Sequence, residues 1–140
     1  MSMFFDKSKS RAYAKFRIWS EQMNPEDITK KLDIIPTESE EKGKYNERTG
    51  KPYVISSWEY QTEEQSTFDL SERLDDLITV LKPKRNELVK IRELFPEDTF
   101  AIDIVLYNHH NFLPGMAFSN EQLLFTADIG VSLEISIYQL

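Results

Sequence analysis

Four segments of this chain place their side chains alternately, and that period of two restricts the possible folds more than any other feature. In residues 11–19, Ala12, Ala14, Phe16 and Ile18 share one side, while Tyr13, Lys15, Arg17 and Trp19 share the other. Successive side chains of an extended strand point to opposite faces, so the segment predicts a strand with one apolar and one mixed face. Residues 53–61 set Val54, Ser56, Trp58 and Tyr60 against Ile55, Ser57 and Glu59. Residues 99–107 set Phe100, Ile102, Ile104 and Leu106 against Asp103, Val105 and Tyr107, and residues 131–138 set Val131, Leu133, Ile135 and Ile137 against Ser132, Glu134, Ser136 and Tyr138. Strands that alternate, instead of running continuously apolar, suit a sheet covered on one side only.

Helices account for the cover. Asn24 offers an N-cap, Pro25 fits the first helical position, and a short helix should end near Asp33, ahead of Ile35-Pro36. Leu70, Leu74, Leu77, Ile78 and Leu81 form a helical stripe, with Asp69 and Glu72 placed as cap and reciprocal partner. Pro83 divides this helix from a second segment carrying Leu88, Ile91 and Leu94 or Phe95, which Pro96 stops. Ser119 and Gln122 make a further capping pair ahead of Leu123, Leu124 and Ala127, and Gly130 ends that helix. The expected fold is α+β, a four-stranded, mostly antiparallel or mixed sheet with helices packed on one face. Residues 24–34 align with 119–129, matching Glu26 with Glu121 and Asp33 with Asp128, which predicts duplicated strand–helix–strand halves. Residues 37–52 show neither period and predict the longest loop, where binding elements are commonly carried.

A chain of 140 residues that is 40% hydrophobic forms one globular domain, with residues 1–9 expected as a flexible arm. The absence of cysteine excludes disulfides, thiolate metal sites and cysteine nucleophiles, and agrees with a reducing compartment. Neither a signal peptide nor a membrane span is apparent, so a cytoplasmic location is expected. The net charge is −7, although Lys7, Lys9, Arg11, Lys15 and Arg17 make the start basic. An acidic surface repels polyanions and disfavours nucleic acid as a partner. The basic cluster Lys82, Lys84, Arg85, Lys90 and Arg92 reads as a solvated helix face.

Candidate chemistry is sparse. His109-His110 is the sole histidine pair, but neighbours on an extended chain point oppositely and no nearby Glu or Cys completes a chelating set. Glu72, Asp75 and Asp76 place carboxylates near a helix start, where acids stabilise the dipole in any case. There is no G-x-S-x-G elbow, and the four glycines are isolated, without phosphate-loop spacing. No catalytic residue, metal or cofactor is assigned, and the motifs point away from a conventional enzyme.

Binding candidates are stronger. Tyr13, Lys15, Arg17 and Trp19 should project from the outer face of the sheet together with Asp103, Tyr107, Glu134 and Tyr138. A face bearing aromatics and mixed charge suits protein contact, since aromatic rings supply area at low entropic cost. The competing expectation is that the rings pack on one another and that Lys15 and Arg17 pair across strands with Asp103 and Glu134. Lys42, beside Gly43, offers an anion or peptide contact or a simple turn. Trp58 offers a partner anchor or core filling, the core being favoured.

The opening strand, Pro25-Glu26-Asp27-Ile28 leading to Leu32-Asp33-Ile34-Ile35-Pro36, Lys42-Gly43, Ser57-Trp58, and the closing segment from Ser119 through Gly130 to Tyr138 together resemble a bacterial family, the domain of unknown function DUF4279. The resemblance implies a fold and transfers no catalytic residue. The function expected is a small protein-binding module, an immunity or regulatory partner, steered to a basic protein by its acidic surface. The alternative is single-stranded nucleic-acid binding, with Tyr13, Trp19 and Tyr107 as stacking platforms beside Lys15 and Arg17.

Overall fold

A computed structural model of the chain describes residues 10–109 and 111–140; residues 1–9, expected as an arm, and His110 lie outside them. In order, the elements are β1 (Arg11–Ser20), α1 (Pro25–Leu32), β2 (Glu38–Glu40), β3 (Tyr45–Asn46), β4 (Lys51–Pro52), β5 (Ser56–Gln61) and β6 (Gln65–Ser66). After them come α2 (Leu70–Leu81), a 3₁₀ turn (Lys82–Lys84), α3 (Arg85–Leu94), β7 (Thr99–Asn108), α4 (Asn120–Asp128) and β8 (Ser132–Gln139). The fold is α+β, and all four alternating segments enter one mixed sheet.

That sheet runs β2-β5-β1-β7-β8, with β6 also paired to β1, so it has six strands and not four. β1 is antiparallel to β5 and to β7, whereas β8 lies parallel to β7. The two expected halves are therefore unequal. β7-α4-β8 brings its parallel strands side by side, but β1-α1-β2 has β5 between its strands, antiparallel to both.

The core lies on the helix side. Phe16, Ile18, Ile102 and Ile104 from the sheet meet Ile28, Leu32, Leu74, Leu77, Leu81, Leu88 and Ile91 from the helices. Each such side chain contributes about 1.5–3 kcal/mol by leaving water. The three N-caps form, although Glu72 does not reciprocate at Asp69 and lies instead 3.7 Å from Arg73. Asn24 accepts from the Glu26 amide, Asp69 from the Ser71 amide, and Ser119 and Gln122 make a complete capping box. Asp33 closes α1 with φ of 52°. Pro83 does separate two helices, through the 3₁₀ turn.

Two expectations change. Residues 37–52 are not one unstructured loop: Glu38–Glu40 joins the sheet edge beside β5, and β3 and β4 form a hairpin. The second strand starts at Ser56, since Tyr53 exchanges backbone hydrogen bonds with Gly43 and Lys44 and so extends that hairpin. On α4, Leu123 and Leu124 are exposed, and Gln122 and Thr126 are buried. The Gln122 amide donates to the Ser71 carbonyl and to Asp75 Oδ1, each at 2.8 Å, and this turns the polar side of α4 toward α2.

Candidate functional site

The face opposite the helices is ordered by strand register. Lys15 stands opposite Asp103, which stands opposite Glu134; Arg17 stands opposite Ala101; Tyr13 opposite Val105; and Tyr107 opposite Tyr138. Because Ala101 has almost no side chain, Arg17 reaches across β7, and its Nη2 donates to Glu134 Oε2 on β8 at 2.7 Å. Arg17 Nη1 is also 3.7 Å from Asp103, whose two carboxylate oxygens accept from the Ser136 hydroxyl. Lys15 makes no ion pair among the described residues; Arg17 takes its expected partner Asp103.

The rings gather at the other end of the face. Tyr107 stacks on Tyr138 with centroids 5.5 Å apart and meets Tyr13 at a tilted 6.4 Å. Burial, then the neighbouring Tyr107, pushes the Tyr13 phenol well above the ordinary tyrosine range, so it stays protonated. Ala101, Asp103 and Val105 are buried beneath this layer. The middle of the face thus satisfies itself, as the competing expectation had it for the rings and for Arg17. Tyr138 and Trp19 remain exposed at its ends.

Trp19 borders a cleft of about 270 Å³. Its lining includes the apolar Ile55, Leu94 and Phe95 and the acidic Glu21, Glu97 and Asp98, with no Lys or Arg. Asp98 Oδ2 is buried and has no hydrogen-bond partner among the described residues. The Arg17 guanidinium lies 4.5 Å from the Trp19 ring centroid and holds the indole at the rim.

Arg92 shapes the far wall. Its Nη1 donates to the carbonyls of Phe95 and Pro96 at 3.0 and 3.2 Å, and its Nε donates to the Gly130 carbonyl at 3.0 Å. The guanidinium also covers Phe100 at 4.9 Å. Gly130 has φ of 70°, and a Cβ there would sit 3.1 Å from Arg92. Nothing in the local sequence marks Arg92, since its acceptors are carbonyls brought near only by folding.

Two candidate residues lie elsewhere. Trp58 is fully buried, its ring edge against Phe16 and its indole N–H donating to Thr29 Oγ1 at 3.0 Å, so as a binding residue it is corrected to a core residue. Lys42 follows β2 in a turn where Gly43 has φ of 89°; its amide donates to Ser56 Oγ, and it stands apart from the β1–β7–β8 face. The acidic helix is structurally engaged, Asp75 by Gln122 and Asp76 by the buried Arg73 at 3.0 Å. His109 is half-buried, with its amide donating to Ser10 Oγ. Among the described residues, no three His, Cys, Asp or Glu are grouped to hold a metal ion, and no helix is long and apolar enough to cross a membrane.

The family model for the domain of unknown function DUF4279 matches residues 9–140. The chain belongs to the DUF4279 family. No curated protein and no solved structure matches it. For this DUF4279 domain the match spans β1 to β8, so the outer face and the Trp19 cleft both lie within the family's own fold.

Proposed function

We propose that this DUF4279 domain is a cytoplasmic, non-enzymatic protein-binding module that takes a basic segment of its partner into the cleft beside Trp19. The observation that supports this best is the cleft's composition, an exposed indole and apolar walls with Glu21, Glu97 and Asp98 and no basic side chain. A lysine or arginine has a matching form: its aliphatic stem lies along Trp19, Ile55 and Leu94, and its charged head meets the carboxylates. A net charge of −7 speeds encounter with a cationic partner, which suits a regulatory or immunity role against a basic protein.

The test uses Trp58→Phe, which leaves Trp19 as the only tryptophan, and short peptides alternating Arg or Lys with Leu. A saturable change in Trp19 emission is expected, weakened by salt and by the double change Glu97→Gln with Asp98→Asn. A linear, unsaturable response, or equal binding of a Glu-Leu peptide, overturns the reading. The nucleic-acid alternative draws less support from the geometry, because Tyr107 stacks on Tyr138 and Arg17 lies over Trp19. Short DNA and RNA strands are expected to leave the emission unchanged.

A further inference from the structure

The two edges of the main sheet are unlike. The β2 edge is three residues long, carries Glu38 and Glu40 and follows Pro36, features that discourage a further strand. The β8 edge is eight residues long, without Pro or Lys, and no strand of the described residues pairs with its outer side. The Leu140 amide donates to the Asn108 carbonyl at 2.8 Å on β7. By the alternation of a strand, even-numbered backbone groups of β8 then face β7, and those of Leu133, Ile135 and Ile137 face outward. The side chains of the same three residues point to the helix side, where Ile135 is still 37% and Ile137 44% exposed.

We infer that a second copy of this chain pairs here, β8 against β8 antiparallel, about a two-fold axis at Ile135. Such an axis requires each patch to be complementary to itself. This register sets Leu133 opposite the partner's Ile137 and Ile135 opposite the partner's Ile135, which joins the apolar rows. All three positions are ones whose N–H and C=O groups face outward, so they become hydrogen-bonded pairs. On the other face, Glu134, the one charged residue of β8, stands opposite the partner's Ser136, and Tyr138 opposite the partner's Ser132. The neighbouring registers are poorer: centring on Glu134 opposes two carboxylates, and centring on Ser136 sets Leu133 against Gln139. The backbone, apolar and charge patterns therefore select one occupant and one register, independently of the Trp19 cleft.

Sedimentation of the full chain tests this. A concentration-dependent species of twice the 16.5 kDa monomer mass is expected, and Ile137→Lys should weaken association by about tenfold or more. Because the chain has no cysteine, Ile135→Cys gives a second readout that does not depend on how the lysine variant folds. A hydrogen-bonded antiparallel pair holds its Cα atoms about 5.5 Å apart, within the span of a short bis-maleimide. That reagent should cross-link the Ile135→Cys variant into a dimer and leave Ser39→Cys, on the β2 edge, monomeric. A wild-type monomer at every concentration up to about 1 mM overturns the inference. Cross-linking equally fast at 39 and 135 does so as well.

Discussion

Arg17 on β1 and Glu134 on β8 are hydrogen-bonded at 2.7 Å although β7 lies between their strands. Neighbouring strands are about 4.8 Å apart, so the contact spans two spacings, and Ala101 leaves the path open. The Arg17 side chain is largely buried, whereas Glu134 is about half exposed. The two ends of the pair should therefore respond differently to mutation. Glu134→Ala should cost less than about 1 kcal/mol, as exposed ion pairs do. Arg17→Ala should cost about 1–3 kcal/mol, because it leaves the buried Asp103 carboxylate with the Ser136 hydroxyl alone. Urea unfolding of both variants checks the order.

Filling the path is a sharper test. Ala101 is fully buried between Arg17 and Ser132. Ala101→Leu should displace Arg17 and destabilise by about 1–3 kcal/mol through overpacking. It should also shift the Trp19 emission, since the guanidinium would leave the ring.

Arg92 and Gly130 form a second test. Gly130→Ala strains a φ of 70° and brings a Cβ 3.1 Å from Arg92, so it should destabilise by at least about 1 kcal/mol. Arg92→Ala removes donors to Phe95, Pro96 and Gly130 and should destabilise by about 1.5–3 kcal/mol. Thermal melts compare the two. Arg92→Ala should also weaken basic-peptide binding, because Phe95, Pro96, Glu97 and Asp98 line the cleft from the turn it holds.

Trp58 should behave as core. Trp58→Phe loses the bond to Thr29 Oγ1 and should cost about 1–2 kcal/mol, while Trp58→Ala should cost about 3–5 kcal/mol. Peptide affinity of the folded Trp58→Phe variant should match wild type, which separates a core role from a contact role.

Arg85, at the start of α3, binds both carboxylate oxygens of Asp128, at the end of α4. Its hydrogen bonds and charge hold the Asp128 carboxyl below the usual value of 3.8. A depressed folded-state value means the contribution is present above the unfolded value and lost as pH falls through the folded one. Arg85→Ala should therefore lower the melting temperature at pH 7 and have little effect below about pH 3. Melts at both pH values compare variant with wild type.

Much of the fold was legible because its signals are local. Period two marks β1, β7 and β8, and capping chemistry at Asn24, Asp69 and Ser119 places three helix starts. Shorter pairings were not legible. β2 is held by β5, remote in the chain, β3 and β4 are two residues each and too short to show a period, and nothing near Tyr53 shows that it will join Gly43 and Lys44 and not β1. The buried side of α4 was not legible for the same reason: Gln122 finds acceptors on α2, and Leu123 and Leu124 turn outward.

Which residues share each face of each strand follows from their order along the chain, because alternation is a property of an extended backbone, and that order groups Tyr13, Lys15, Arg17 and Trp19. Which of them remain available depends on how the strands assemble. Strand order puts Ala101 beside Arg17, so Arg17 is drawn to Glu134; it stacks Tyr107 on Tyr138, and it leaves Trp19 at an end where a turn pinned by Arg92 completes a cleft. Those partners are far apart along the chain, and distances between strands are set by the order in which the sheet assembles.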